Sequence, residues 1–274
     1  MRDRSSEPTT RFFVLGPILV GFVVLAAFLG KEVLWSNSQG MGPAFTHGHR
    51  RSALVALTFD DGPNEPYTGQ ILDILKARGV KATFFVIGEN AERFPDAVRR
   101  EIAEGMEVGN HTMNHPYLIK ERKREMFWQI SETQDLLREI TGVTPKWFRP
   151  PHGFRDPRVF RVTKRLNLNV VEWSNMPRDW TRPGTDVIVS RVLNHLKGGD
   201  IILLHDGANL TPGGDRSQTV AALPLILDGI EARGLRPVTL SQLAATGGRG
   251  LRRYWKMEEL RQESSETDEA RGRR

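Results

Sequence analysis

Short apolar runs alternate with segments of helical periodicity between residues 53 and 245, and this alternation constrains the fold more than any other feature. The strand-like runs are residues 53–59, 82–88, 106–110, 146–151, 168–173, 200–206 and 236–240. The segments between them repeat apolar residues at helical spacing, as Phe94, Val98 and Ile102 do. Strands that alternate with helices of ten or more residues predict βα units and parallel strands.

About seven βα units fit between residues 53 and 245, which predicts one α/β domain. We expect a distorted (β/α) barrel of about seven parallel strands, and a doubly wound open sheet is the alternative. The Gly-x-Gly-x-x-Gly turn that dinucleotide-binding sheets place after their first strand does not follow residues 53–59. The sequence therefore does not indicate a dinucleotide cofactor.

Residues 12–30 form an uncharged apolar run of 19 residues. That length approaches the roughly 20 residues that cross a bilayer as a helix. Arg2, Arg4 and Arg11 precede the run, so we expect residues 1–11 to be a cytoplasmic tail. The prediction is a single-pass membrane protein whose remaining chain is extracytoplasmic. A buried core helix and a cleaved signal peptide, which would give a secreted protein, are the alternatives.

The regions that flank the predicted domain are poor in periodic apolar residues. We predict a linker over residues 31–52, where His47 and His49 fit a solvated tract better than a metal site. We predict a charged, disordered tail over residues 246–274.

The composition narrows the chemistry that is available. With no cysteine among the 274 residues, disulfides, thiolate metal sites and cysteine nucleophiles are excluded. The formal net charge of +6 suits an anionic wall or membrane, but no basic stripe with interleaved aromatics indicates nucleic acid. The sequence indicates no protein partner.

Two adjacent carboxylates, Asp60 and Asp61, end the first predicted strand, and Gly62-Pro63 turns the chain there. Barrel enzymes place catalytic groups at the carboxyl ends of strands. A turn-forming Asp-Gly without chemistry is an equally good interpretation of this segment alone.

His111 and His115 follow the third predicted strand and lie four residues apart. We expect them on one face of a helical turn, where both imidazoles reach one metal ion. An ordinary surface pair of histidines is the alternative. With a carboxylate from another strand end, the pair would form a two-histidine, one-carboxylate site with positions open for water and substrate.

Later strand ends carry further polar and aromatic side chains. Arg149 begins the stiff segment 149–153 (RPPHG) and could orient a carboxylate. Trp180 could support a sugar ring or belong to the core. His205, at the end of a very apolar strand, could be a general acid or a structural histidine.

Taken together, the segments TFDDGP, HTMNH, RPPHG, DWTRP and LLHD resemble the polysaccharide deacetylase family, also called the NodB homology domain or carbohydrate esterase family four. The resemblance covers about residues 53–245. The pairing of TFDDGP with a following His-Thr-x-x-His is highly specific for that family.

The resemblance implies a role for each matching position. Asp60 matches the catalytic base, Arg149 the residue that orients it, His205 the general acid, and Asp179 the carboxylate that tunes this acid. The positions of divalent metal ligands are Asp61, His111 and His115. Pocket-lining positions are matched by Pro150, His152, Trp180 and Leu203.

The function implied is metal-dependent hydrolysis of N-acetyl groups on an extracytoplasmic glycan of peptidoglycan or chitooligosaccharide type. Zinc is the expected ion, and cobalt or another divalent ion is the alternative. An O-acetyl esterase of xylan type and a catalytically silent glycan-binding module remain alternative functions. One departure is His152, which stands where the family usually has Tyr. The family uses the backbone N–H at this position, so we expect activity to survive the replacement.

Overall fold

The computed structural model describes residues 42–247, which contain one sheet of seven parallel strands. The strands are β1 (Leu54–Gly62), β2 (Thr83–Val86), β3 (Glu107–Asn110), β4 (Trp147–Phe148), β5 (Asn169–Val170), β6 (Ile201–His205) and β7 (Arg236–Val238). The helices are α1 (Tyr67–Ala77), α2 (Gly88–Arg93), α3 (Pro95–Ala103), α4 (Lys123–Thr141), α5 (Pro157–Arg165), α6 (Thr185–Leu193), α7 (Ser217–Glu231) and α8 (Leu240–Ala245). The predicted parallel α/β class is confirmed.

The sheet runs in the order β5-β4-β3-β2-β1-β6, and β7 pairs with the first residues of β1. The sheet curls until its two edges approach each other. There the segment that follows β5 meets β6 through a single parallel bridge between Asn175 and Ile202. The expected barrel is therefore a curled parallel sheet with one bridged gap, in place of a complete ring of paired strands.

Strand β1 is the centre of the domain because it pairs with β2, β6 and β7. Eight of its nine residues are buried, as the near-continuous apolar sequence of a parallel strand requires. Helices α1 and α7 cover it with Leu72, Leu75, Leu223 and Ile226, which belong to one buried cluster. This packing fixes the position of the carboxyl end of β1.

Residues 43–52, expected within the linker, pack against the sheet. Phe45 is fully buried, forms a parallel bridge with Val171 and stacks on Trp147 at a ring separation of 5.6 Å. The backbone N–H of Gly48 donates to the carbonyl of Gly199 at 2.7 Å. The folded region thus begins upstream of residue 53. This segment is irregular, so periodicity could not reveal it.

The predicted membrane span, residues 12–30, and nearly all of the predicted tail lie outside the described residues. Within residues 42–247, no helix is both long and apolar enough to cross a bilayer.

Pairing within the sheet determines which strand ends face each other. Asp60 of β1 stands opposite His205 of β6, and Asn110 of β3 stands opposite Phe148 of β4. Because all strands are parallel, their carboxyl ends lie on one side of the domain. The predicted catalytic residues that follow these ends are therefore brought together by the strand pairing.

Candidate active site

A cavity of about 690 Å³ opens at the carboxyl ends of the strands. This volume lies within the range of ordinary ligand sites, roughly 300–1,000 Å³. The lining residues that the sequence predicted for catalysis, metal binding or substrate binding are Asp60, Asp61, His111, His115, Pro150, His152, Trp180, Leu203 and His205. Arg149 and Asp179 lie behind the cavity and bond to its walls. The structure thus brings all eleven predicted residues together.

An irregularity in β1 turns both of its terminal carboxylates toward the cavity. The register of β1 against β2 shifts between Asp60 and Gly62, and Asp61 has a φ of 73°. Side chains alternate across a regular strand, so the left-handed residue is what lets neighbours share one cavity. Asn90 supports this backbone because its amide donates to the carbonyl of Asp61 at 2.8 Å.

Among residues 42–247, one group of three His, Cys, Asp or Glu side chains could hold a metal ion, and it consists of Asp61, His111 and His115. Its potential ligand atoms all lie within 4.8 Å of one another. Nε2 of His111 lies 3.4 Å and Nε2 of His115 lies 3.2 Å from Oδ1 of Asp61. The carbonyl of Arg149 lies 2.7 Å from Nδ1 of His111. That contact assigns the ring proton to Nδ1 and leaves the lone pair of Nε2 free to bind a cation.

The segment that holds the two histidines is not the helical turn expected from their spacing. Thr112 and His115 have φ values of 71° and 58°, which no helix contains. The side chain of Gln129 accepts from the backbone N–H of Met113 at 3.0 Å and so fixes this loop to α4. The prediction of convergence was right, but the predicted turn was wrong, because side chains of α4 and left-handed residues determine the conformation.

The protonation of the group suits a divalent cation. Burial acts to raise the pKa of Asp61, but the neighbouring His111, His115 and His205 hold that pKa below its ordinary value. Burial lowers the pKa of His115 to about 3, and Asp61 offsets only part of this effect. The buried Oδ1 of Asp61 accepts no hydrogen bond within the described residues. An ionised carboxylate and a neutral imidazole, as at Asp61 and His115, are donors that zinc and similar ions prefer.

Arg149 fixes the orientation of Asp60. This arginine is fully buried, and its Nη1 donates to Oδ1 of Asp60 at 2.6 Å and to Oγ1 of Thr58 at 2.9 Å. Its Nη2 donates to the carbonyl of Glu172 at 3.1 Å, and its guanidinium lies 4.2 Å from the ring centre of Phe85. The second carboxylate oxygen of Asp60 therefore faces the metal-binding group, 3.7 Å from Nε2 of His111.

His205, the register partner of Asp60 on β6, forms a buried pair with Asp179. Nδ1 of His205 lies 2.9 Å from Oδ1 of Asp179, whose Oδ2 accepts from the backbone N–H of His205 at 2.8 Å. Thr219 also donates to this Oδ2, at 2.9 Å. Burial acts to lower the pKa of His205, but Asp179 outweighs it and raises the pKa to about 9. The imidazole is therefore protonated at neutral pH, and only its Nε2 can serve a substrate.

The substrate side of the cavity has aromatic walls. Trp180 is 39% exposed, and its ring packs edge-to-face with the ring of His205 at a centroid separation of 4.9 Å. His152, with a φ of 60°, stacks on Tyr117 at 4.0 Å and lies 4.5 Å from the ring of His115. Because His152 stands where the family usually has Tyr, an imidazole side chain lines the cavity here in addition to the backbone N–H.

Sequence reasoning did not assign several residues that complete the site. Further lining residues are Phe154, Trp173, Met176, Arg178, Asn209 and Arg216. The backbone N–H of Asn209 donates to Oδ2 of Asp61 at 3.2 Å, and Thr219 holds Asp179. Of these residues, Arg178 alone could have been identified from the sequence, because it directly precedes Asp179. The positions of the other residues depend on loop conformations that no sequence motif specifies.

Comparison with known proteins agrees with this geometry. The family model described as polysaccharide deacetylase matches residues 47–171. A peptidoglycan-N-acetylglucosamine deacetylase of Bacillus cereus is 43% identical over 192 residues, which are 69% of this chain and 87% of that protein. A chitooligosaccharide deacetylase of Sinorhizobium fredii is 43% identical over 187 residues, which are 66% of this chain and 86% of that protein.

A solved structure has the same architecture. The crystal structure of the Bc1960 peptidoglycan N-acetylglucosamine deacetylase, in complex with a naphthalenyl N-oxidanyl-benzamide, superposes with a TM-score of 0.69 at 40% identity. The match covers 73% of this chain and 92% of that one. The motifs, the grouping of their side chains and these relatives lead to one conclusion: this chain belongs to the polysaccharide deacetylase family.

Proposed function

We propose that this protein is a metal-dependent hydrolase that removes N-acetyl groups from a glycan of peptidoglycan or chitooligosaccharide type. One observation carries the proposal: Asp60 and His205 face one cavity that also contains the Asp61, His111 and His115 group. A base, an acid and a cation site are the parts that amide hydrolysis by water requires. The deacetylases to which the chain is similar act on glycans of these two types, according to their names.

We assign the cation site to a divalent ion, with zinc first and cobalt as the alternative. Two imidazole nitrogens and one carboxylate oxygen leave coordination positions open, as catalytic ions need. When bound, the ion supplies Lewis acidity, which makes a water more acidic and polarises the acetyl carbonyl. Asp61 and His111 are further fixed by Asn209 and by the carbonyl of Arg149, so the site is preorganised.

Asp60 acts as the general base and takes the proton of the attacking water. Arg149 occupies one oxygen of Asp60, so the other oxygen is the one that accepts this proton. The backbone N–H of His152 is the proposed donor to the developing oxyanion, because the left-handed residue lies in the stiff 149–153 loop beside His115. This role does not depend on the side chain, which agrees with histidine in place of tyrosine.

His205 acts as the general acid and donates its Nε2 proton to the leaving nitrogen. An amide nitrogen leaves only when protonated, because the amide anion is a very poor leaving group. Asp179 keeps the ring charged and oriented through Nδ1. The reaction then needs no covalent intermediate on the protein, in keeping with a chain that contains no cysteine.

Two alternative functions make different predictions. A silent glycan-binding module has no use for the buried Arg149–Asp60 and Asp179–His205 pairs, which the described structure retains in full. An O-acetyl esterase would use the same groups but would not need His205 as an acid, because an alkoxide leaves more easily than an amide anion. Rates on acetylated xylan and on chitooligosaccharides separate these functions.

The metal site can be tested directly by binding. We expect the wild type to bind one equivalent of Zn²⁺ and His111→Ala to lose this binding, because one of three ligands is removed. Isothermal titration calorimetry measures it, with circular dichroism as a check on folding. His195→Ala removes an exposed histidine outside the cavity and should bind like the wild type. Stoichiometric zinc binding by the His111 variant would contradict the assignment.

The base can be tested by acetate release from chitooligosaccharides and peptidoglycan. Asp60→Asn should lower kcat by about 100-fold or more while zinc binding persists, because general-base catalysis contributes about 10²–10⁴-fold. Asp228→Asn, an exposed position that pairs with Arg78, is the matched control and should retain wild-type rates. A wild type that releases acetate from neither glycan, with a chelator-sensitive ion bound, would refute the proposed function.

The acid can be tested by the pH dependence of kcat. Because Asp179 raises the pKa of His205 to about 9, activity should be present below this pH and fall as pH rises through it. Asp179→Asn removes the largest charge that raises this pKa and leaves only Asp61 and Asp60 to oppose burial, so the alkaline limb should move to lower pH. Asp186→Asn, an exposed control, should keep the wild-type limb. An unchanged limb in the Asp179 variant would rule out His205 as the acid.

We also propose that residues 12–30 anchor the protein in the cell membrane, with the catalytic domain outside. The support is the apolar run and its flanking arginines. The expected result is a full-length protein that stays in the membrane fraction after alkaline carbonate extraction. A shortened protein in the medium would instead support signal cleavage and secretion.

A further inference from the structure

Two arginines line the cavity, and among the described residues the side chain of Arg178 has no bonding partner. Within residues 42–247 its guanidinium takes part in no ion pair or hydrogen bond, and the residue is exposed. The other lining arginine, Arg216, is 8% exposed and donates to the carbonyls of Gly207 at 2.6 Å and Asp215 at 3.1 Å. Arg178 therefore retains all five of its N–H donors for a ligand.

The backbone that presents Arg178 is tightly held. Its φ and ψ are 58° and 45°, a left-handed conformation that a non-glycine residue adopts at a cost in free energy. Its carbonyl accepts from the backbone N–H of Thr181 at 3.1 Å and from Oγ1 of Thr181 at 2.8 Å. Arg191 donates to the preceding carbonyl, of Pro177, at 2.9 Å, and the following residue, Asp179, is buried.

This conformation places Arg178 and Trp180 on either side of Asp179, and both line the cavity. A sugar ring that packs on Trp180 would occupy the cavity that the guanidinium of Arg178 also lines. The anionic side chains of the cavity do not compete for it, because Asp60 is paired with Arg149 and Asp61 belongs to the metal-binding group. The guanidinium of Arg178 is thus an unpaired cation in the cavity, and an anionic group of the substrate could pair with it.

We propose that Arg178 is a specificity residue that binds a carboxylate on the glycan, so that the preferred substrate is an anionic N-acetylated glycan. The inference rests on the proposed deacetylase function and names its substrate class. A carboxylate-bearing amino sugar, such as the lactyl ether of an N-acetylmuramic acid unit, offers this group on the reacting sugar or its neighbour. A guanidinium binds a carboxylate in a planar, two-point contact that a neutral chitooligosaccharide cannot form.

A matched pair of substrates tests the proposal. One is a peptidoglycan fragment with a free lactyl carboxylate, and the other is the same fragment with that group converted to its methylamide. We expect wild-type kcat/KM for acetate release to be at least about 10-fold higher on the carboxylate, since hydrogen bonds to charged groups contribute about this much or more. In Arg178→Gln the ratio of the two kcat/KM values should fall to near one.

A matched variant separates local recognition from net charge. Arg182 also has a left-handed backbone and is exposed, but it pairs with Asp215 and does not line the cavity. Arg182→Gln removes the same charge four residues away and should retain the wild-type ratio. The proposal is overturned by a wild type that treats the two substrates alike. It is equally overturned by an Arg178→Gln protein that keeps the preference, or by an Arg182→Gln protein that loses it.

Binding measurements distinguish this proposal from the proposed function. The dissociation constants of both fragments are measured by calorimetry in the Asp60→Asn background, with and without Arg178→Gln. Acetate release from both fragments at equal rates would leave the deacetylase function standing and refute the role of Arg178. Tighter binding of the carboxylate fragment that depends on Arg178, without acetate release by the wild type, would support recognition and refute the hydrolytic function. Equal or absent binding refutes the role of Arg178 whatever the activity.

Discussion

Asp61 occupies the left-handed region of backbone space, with a φ of 73°, and this conformation lets two neighbouring carboxylates serve one cavity. In a regular strand one of the two would face the opposite side of the sheet. Two hydrogen bonds hold this conformation: the side chain of Asn90 donates to the carbonyl of Asp61, and the backbone N–H of Asn209 donates to its carboxylate. Neighbours in sequence thereby have separate partners: Asp60 pairs with Arg149, and Asp61 lies beside His111 and His115.

The buried Arg149 connects this strand end to the rest of the site. A fully buried guanidinium is costly unless its charge is paired and most of its donors are used. Asp60 pairs the charge, and Asp60, Thr58 and the carbonyl of Glu172 accept from the two terminal nitrogens, whereas Nε has no acceptor among the described residues. These acceptors belong to β1 and to the segment after β5. The carbonyl of Arg149 in turn orients His111. The side chain and the backbone carbonyl of Arg149 thus connect Asp60 to His111, so displacement of Arg149 would disturb both residues.

The sequence predicted those features that depend on local composition and failed on those that depend on contacts across the fold. Apolar runs marked all seven strands, and the residues that follow them marked the cavity, because parallel strands bring their carboxyl ends together. The spacing of His111 and His115 indicated the correct pair but the wrong local structure, since Gln129 of α4 sets that loop. Phe45 and Arg178 had no periodic context, and their positions follow from tertiary packing and a left-handed turn.

Two histidines of one cavity have pKa values shifted in opposite directions, and the neighbours that the fold gives each of them determine the direction. His205 has Asp179 as a close counter-charge and a pKa raised to about 9, whereas burial lowers the pKa of His115 to about 3. In the proposed mechanism an imidazole that donates a proton must be charged and an imidazole that binds the cation must be neutral, and Asp179 holds His205 in the charged state. Asp60 and His205 are register partners on the adjacent strands β1 and β6. Strand pairing therefore sets the spacing between these two side chains, and in the proposed mechanism this spacing lets both act on the same amide.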